Sequence, residues 1–405
     1  MQKNTRLRIA FITPEFVTEP YFSGGLANYV HRVTKALAEL GHDVSVLTLS
    51  DVDSKEFDYD GVKVYRIQTG RFRYWLNFLA RHKLSGTSRW LDFSYQAYRK
   101  LARLNKQEHF DILQFPNSRA CAFFSILLLR LPFTIRISCY RPLWNMLGET
   151  KRTFDARACE FFESFCYRLS RNIFAPSTAL KRILMEKENK DIRVIRTPFY
   201  LEINKADNSV YQQFLNGKDY LLFLGRLQMH KGVHILGQAL PDIFAKFPDI
   251  YAVFVGLDGT SPTGTSMRQY IIQQNDILSE RVIFLDAVHH EQLYPIIEGA
   301  RLVVLPSLVD NFPNTMLESM GLGKPVLGTI GCSFDEVIEE GKDGFLVNPG
   351  NPVELARKII EVWERKDLEN IGKNATIKIK DFTPEKLVPQ LVDYYEELIV
   401  TRGKN

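Results

Sequence analysis

Asp310 and Glu318 stand on either side of a run of polar and ring-bearing residues, Asn311-Phe312-Pro313-Asn314-Thr315. Paired carboxylates at such a place can accept hydrogen bonds from vicinal hydroxyls, one to each oxygen. Glu318 falls between Leu317 and Met320, on a stretch whose inner side is otherwise apolar. A carboxylate there must reach solvent or meet a donor, because burying it bare is costly. Amides from Asn311 to Thr315 gather at the positive end of the same helix, which suits an anionic or hydroxyl-rich ligand. A second constellation is Gly225-Arg226 followed by Lys231-Gly232. A fork-shaped donor and a point charge together suit a diphosphate. No Gly-Lys-Ser/Thr follows, so this is not a Walker A loop. A third is the diglycine Gly24-Gly25, where the backbone can approach a ligand closely and offer helix amides to an anion. Taken singly, each feature has a plainer reading: solvated acids, surface cations, a tight turn.

These residues need elements to hold them. Leu302–Leu305 is a wholly apolar run, as expected of a strand buried on both faces of a parallel sheet. Asn314 can cap a helix running to about Leu322, ended by Gly321 and Gly323. Pro325-Val326-Leu327 reads as the next strand, Ser333 as the cap of a short helix through Val337-Ile338, and Phe345-Leu346-Val347 as a third strand. This is βαβ punctuation, and ligands of such sheets sit at the carboxyl ends of the strands. Further strands are expected at Leu7–Thr13, Val44–Leu49, Val62–Ile67, Phe110–Phe115, Phe133–Ser138, Ile173–Ala175, Val194-Ile195, Tyr220–Leu224, Tyr251–Val255 and Val282–Leu285. Helices are expected at Leu26–Leu40, Ala120–Leu131, Cys159–Ile173, from Val233, and at Val353–Trp363 and Leu387–Ile399.

The segment Asp310-x7-Glu318, with Gly323-Lys324-Pro325-Val326, Glu336-Val337-Ile338 and Gly344-Phe345-Leu346-Val347-x-Pro, resembles the nucleotide-sugar-binding segment of retaining glycosyltransferases of family 4 (the group 1 type). The amino-terminal stretch GGLANYVHRVTKALAELGHDVSVLT resembles the first βαβ unit of the same family. The resemblance implies an α/β chain of the GT-B fold: two Rossmann-like, doubly wound parallel-sheet domains with a cleft between them. The expected boundaries are 1–198 and 199–380, with a last helix in 381–405 crossing back to the first domain. It implies that Glu318 holds ribose hydroxyls, that Asp310 faces the donor sugar, and that Asn311, Phe312, Pro313, Asn314 and Thr315 line the donor site. Arg226 and Lys231 would clamp the diphosphate beside Gly225, and Gly24 and Gly25 would contact it from the first domain. The donor would be a UDP-, GDP- or ADP-sugar, a substrate and not a cofactor. No cofactor and no metal is expected. Asp51-x-Asp53 spells a metal motif of another transferase fold, but it lies in a polar loop of the wrong domain.

Two positions depart from the family. Asp310 stands where Glu is usual, which keeps the charge and shortens the reach by about one methylene. Ser138 stands where a histidine beside the donor sugar is usual. That implies an unusual donor, a task passed to Arg136, Tyr140 or Arg141, or poor activity. The flanking arginines suit a carboxylate or phosphate on donor or acceptor. His82 and His109 fit no motif, and His289 and His290 read as solvated loop residues.

At 405 residues the chain predicts two or three domains with ample core. Five scattered cysteines without a CxxC pair fit reduced thiols in a cytosolic protein. No signal peptide and no apolar run near transmembrane length is evident. The net charge is +5, yet the stretch from Arg71 to Lys106 holds nine Lys or Arg against one acid, Asp92. Large aromatics are interleaved with those charges. Such a segment suits an anionic bilayer surface, with a core-packing helix bearing a solvated basic face as the plainer alternative. No RNA- or DNA-binding motif accompanies it. The expected function is transfer of a sugar from a nucleoside diphosphate to a hydroxyl of a glycan or lipid-linked acceptor, on the cytoplasmic side of a membrane, in cell-surface polysaccharide or glycolipid synthesis. The rivals are a catalytically silent nucleotide-sugar-binding subunit and a nucleotide-sugar epimerase of the same fold.

Overall fold

The structure, a computed structural model, describes residues 6–20, 25–146, 153–201 and 206–402. Two compact units divide the chain. One takes Met1–Pro142, Thr150–Pro198 and Pro384–Asn405; the other takes Leu143–Glu149 and Phe199–Thr383.

In the first unit the strands are β1 (Arg8–Thr13), β2 (Asp43–Leu49), β3 (Glu56–Tyr59), β4 (Val62–Ile67), β5 (Ile112–Pro116), β6 (Phe133–Arg136), β7 (Ile173–Ala175) and β8 (Arg193–Val194). They form one sheet in the order β3-β4-β2-β1-β5-β6-β7-β8. The β3–β4 pair is antiparallel and the others are parallel. Central strands β2, β1 and β5 are buried along nearly their whole length and mostly apolar, as expected of strands covered on both faces. One face packs on the helix Gly25–Glu39 through Tyr29, Val30, Val33 and Leu37. The final helix, Pro384–Arg402, joins that same core with Val388, Leu391 and Tyr395. Tyr395 donates to the side-chain oxygen of Gln114, whose amide donates to the Tyr29 hydroxyl at 3.1 Å, so these three buried side chains are hydrogen-bonded to one another.

Strand β3 has no counterpart among the sequence expectations. It pairs with β4 through a two-residue turn, Asp60-Gly61, both at positive φ (50° and 76°). That Asp-Gly pair was the available signal for a hairpin. The helix expected at Ala120–Leu131 is shorter, Phe123–Leu128, because Arg119 and Ala120 sit at φ 57° and 51° and break the register. The helix expected at Cys159–Ile173 runs instead over Phe154–Leu169, where the Thr153 hydroxyl caps it by accepting from the Ala156 amide at 3.1 Å.

The basic segment becomes two helices with different surroundings. Ser85–Glu108 buries Leu91, Phe93, Ala97, Leu101 and Leu104 in the core of the first unit. Phe72–Leu79 buries no residue at all. Among the described residues no helix is long and apolar enough to cross a membrane.

In the second unit β9 (Tyr220–Leu224), β10 (Tyr251–Val255), β11 (Val282–Leu285), β12 (Leu302–Leu305), β13 (Val326–Thr329) and β14 (Phe345–Val347) form an all-parallel sheet in the order β11-β10-β9-β12-β13-β14. The order reverses between β9 and β12, and ligands of such sheets sit at the carboxyl ends of the strands beside that reversal. Helices Val233–Lys246 and Pro352–Trp363 supply much of the core against this sheet.

Candidate functional site

Strands β9 and β12 lie side by side, and the loops that leave them are fastened together by the backbone. The amides of Leu308 and Val309 both donate to the carbonyl of His230, at 2.8 and 3.1 Å. Gly232, at φ +66°, allows the approach: a Cβ there would stand 1.8 Å from the carbonyl oxygen of Pro306. A similar contact sits behind it, where a Cβ on Gly256 would come within 2.1 Å of the Gly225 carbonyl. These close backbone passages fix where Lys231 and Asp310 can point.

They point at each other. The Lys231 ammonium donates to Oδ2 of Asp310 at 2.6 Å. The same oxygen accepts from the Ser307 hydroxyl at 3.2 Å, and Oδ1 accepts from the Asn311 amide at 2.9 Å. The Asp310 side chain is 10% exposed and that of Lys231 25%, so the pair is held yet open to a ligand. An ammonium has three donors, and here one is taken by Asp310. Arg226, on the turn after β9, is exposed.

Past Asp310 the chain buries Phe312 against Phe382, ring centroids 5.7 Å apart, and Pro313 leads into the helix Asn314–Gly321. Asn314 was expected to cap this helix. Pro313 occupies the cap position instead, with no side-chain cap, and Asn314 is already helical. Its Oδ1 is buried without a hydrogen-bond partner among the described residues. The first amides of the helix, a few residues on from Asp310, therefore carry their partial positive charge uncapped by any side chain. Gly323, at φ +74°, ends the helix with its amide on the Met320 carbonyl at 3.0 Å.

Glu318 is 4% exposed, on the inner side of this helix. Its Oε1 lies 3.6 Å from Nε2 of His290, whose ring stacks on Tyr294 with centroids 5.5 Å apart. His290 was expected to be a solvated loop residue. It opens the helix His290–Gly299, which Tyr294, Ile296 and Ile297 bury against the unit, and this carries the imidazole to Glu318. The spacing of those apolar residues was the signal for it. His289 is exposed, as expected. Burial pulls the Lys324 amine below its ordinary value, with Glu298 opposing.

Site candidates of the first unit have other surroundings. Gly24 lies outside the described residues, and Gly25 is the first residue of its helix. Arg136 is buried; it donates to Ser138 Oγ at 2.8 Å and to Thr197 Oγ1 at 2.9 Å, and its guanidinium lies over the Tyr29 ring at 3.8 Å. The Ser138 amide donates to Asn117 Oδ1 at 2.7 Å. Arg141 grips Glu163 with two bonds of 2.6 and 2.7 Å, and Glu163, 3% exposed, also takes the Arg119 amide. Tyr140 donates to Glu188 at 3.1 Å, and burial with that carboxylate pushes the phenol up. Asp51 and Asp53 pair with Arg89 and Arg66. Among the described residues no three His, Cys, Asp or Glu side chains are grouped to hold a metal ion.

Comparison with known proteins agrees with this architecture. The model of glycosyl transferases group 1 matches residues 205–378, and that of glycosyltransferase family 4 matches residues 23–202. An uncharacterized glycosyltransferase of Methanocaldococcus jannaschii is 24% identical over 395 residues, spanning 93% of this chain and 95% of that protein. A D-inositol 3-phosphate glycosyltransferase of Corynebacterium urealyticum is 28% identical over 179 residues, 44% of this chain and 42% of the relative. Among solved structures, sucrose-phosphate synthase from Thermosynechococcus elongatus superposes with a TM-score of 0.74 at 18% identity, over 98% of this chain and all of that one. Anabaena HepE in complex with UDP-glucose gives 0.69 at 19% identity, over 97% and 100%. The two family models divide almost the whole chain between them, and the protein belongs to the group 1, family 4 glycosyltransferases, on the GT-B fold.

Proposed function

We propose that this protein transfers a sugar, with retention at the anomeric carbon, from a nucleoside-diphosphate sugar to a hydroxyl of a glycan or lipid-linked glycan. The observation that carries the reading is the Lys231–Asp310 pair at 2.6 Å beside the uncapped start of the helix Asn314–Gly321. HepE, which shares the fold, has been solved in complex with UDP-glucose, and that supports a nucleoside-diphosphate sugar as the donor here.

Each group then has a task matched to its chemistry. Lys231 keeps one donor on Asp310 and offers the others to phosphate oxygens, and Arg226 adds a planar fork. Helix amides from Asn314 and Thr315 face the same anion. Asp310 has lone pairs left for the hydroxyls of the sugar, and Glu318 accepts from the ribose. In the reaction the bond from the anomeric carbon to the diphosphate oxygen breaks, and a bond to the acceptor oxygen forms. The acceptor's proton passes to a departing phosphate oxygen, so no enzyme nucleophile is consumed. The main electrostatic task is to neutralise charge growing on the leaving diphosphate. The test is Lys231→Ala. Sugar transfer should fall by about 10²–10³-fold, the range for removing one such donor; a kcat/KM within threefold of wild type would remove the clamp.

A further inference from the structure

We infer that the helix Phe72–Leu79 is a docking surface for an anionic lipid bilayer. The inference stands on a different part of the chain from the donor site and does not depend on it. A surface helix ordinarily turns its apolar stripe inward and its polar face to water. This one also turns large apolar side chains outward. Tyr74, Trp75, Phe78 and Leu79 are 62%, 58%, 68% and 59% exposed, and Trp75, Phe78 and Leu79 share one face at i, i+3 and i+4 spacing.

The helix is nonetheless anchored. Phe72 packs on Tyr95 and Phe124, with centroids 5.2 and 6.0 Å away, and buried Asp92 accepts from the Arg73 amide at 3.2 Å. The outward face is therefore held out by the core beneath it. Phe124 belongs to the short helix Phe123–Leu128, whose Leu127 and Leu128 are themselves 49% and 53% exposed. Large apolar side chains exposed together on one helix face mark a contact surface.

Charge selects the partner. Arg71, Arg81 and Lys83 are all exposed around the helix, and residues 71–84 contain no acid. Arg73 lies over the Tyr74 ring at 4.6 Å, its cation beside the aromatic face. Tryptophan and phenylalanine flanked by arginine and lysine match the boundary between acyl chains and anionic headgroups, where rings enter and cations stay with the phosphates. The neighbouring helix Ser85–Glu108, which the sequence placed in the same basic segment, packs its apolar face in the core.

The experiment is co-sedimentation of the full chain with phosphatidylcholine vesicles, with and without phosphatidylglycerol. Wild type should sediment with the anionic vesicles and not the neutral ones. The triple variant Arg71→Glu, Arg81→Glu, Lys83→Glu should lower partitioning at least ~tenfold, given the attraction per basic residue near such a surface. Trp75→Ser with Phe78→Ser should lower it comparably, while both variants keep the wild-type Tm and affinity for nucleoside diphosphates. Trp75→Phe should retain binding and lose the blue shift of tryptophan emission that vesicles induce. Equal binding to neutral and anionic vesicles, or none to either, overturns the inference. So does light scattering that shows wild-type dimers dissociated by the Trp75, Phe78 changes, since the face would then belong to a second copy of this chain.

Discussion

The charged residues at the end of β6 and those after β9 and β12 both set bases beside an acid near the carboxyl ends of parallel strands, and they are handled differently. After β6, Arg141 is gripped by both oxygens of a Glu163 that is 3% exposed, and Arg136 lies against Tyr29 with its donors on Ser138 and Thr197. After β9 and β12, Lys231 and Asp310 make one short contact on a partly open surface, beside helix amides without a side-chain cap. A pair closed on a buried carboxylate, as Arg141 and Glu163 are, is costly to break, while the buried Nε of Arg136 has no hydrogen-bond partner among the described residues. A charge held by one partner, with donors to spare, can take up a ligand without leaving anything bare. On the proposed function, the first cluster serves structure and the second serves chemistry.

The widest separation should come from paired variants. Lys231→Ala should lose about 10²–10³-fold in transfer with unfolding free energy within roughly 1 kcal/mol of wild type, because partly exposed pairs contribute little. Glu163→Ala should lose about 3 kcal/mol of stability by leaving Arg141 and the Arg119 amide without their buried acceptor, as chemical denaturation would measure. Nucleotide affinity of the folded Glu163→Ala protein should be unchanged. A collapse of affinity in Glu163→Ala with intact stability would reverse the two assignments.

Glu318→Gln keeps shape and removes charge. Calorimetric titration should report about tenfold weaker nucleoside-diphosphate binding, equivalent to ~1.4 kcal/mol. A smaller effect concerns acid stability in the first unit. Arg168, with Tyr140 and Tyr167, holds the Glu188 carboxyl below its ordinary value against its burial. A depressed folded-state value means the contribution is present above the ordinary carboxylate range and lost as pH falls through the depressed one. Glu188→Gln should therefore flatten the acid limb of Tm against pH and leave the alkaline limb alone. The smallest effect is at Cys332, whose thiol donates to the Ser307 carbonyl at 3.4 Å and is pushed up to about 11 by burial. At pH 8 it should react with an alkylating reagent far more slowly than a free thiol, since the thiolate is the nucleophile.

The sequence made the strands readable where a strand is buried on both faces, as in Tyr220–Leu224 and Leu302–Leu305, because burial leaves only apolar residues to choose from. It also drew attention to Asp310, Glu318, Arg226 and Lys231 through their place at strand ends. What it did not reveal is that Lys231 and Asp310, 79 positions apart, form one pair. That contact depends on the His230 carbonyl receiving two amides and on Gly232 passing under Pro306, neither of which has a local sequence signature. The approach of His290 to Glu318 was hidden for a related reason: the helix it opens is read from residues that follow it. Strand β3 was missed although Asp60-Gly61 announced it. The basic segment read as one piece because charge counting ignores which side of a helix faces the core.

The most direct measurement is a crystal structure of the chain soaked with a nucleoside-diphosphate sugar. The diphosphate should lie within hydrogen-bonding distance of Lys231 and the Asn314–Thr315 amides, with a sugar hydroxyl on Asp310 and the ribose on Glu318. A diphosphate seated instead on Arg136 or Arg141, with Lys231 and Asp310 still paired and untouched, would contradict the account.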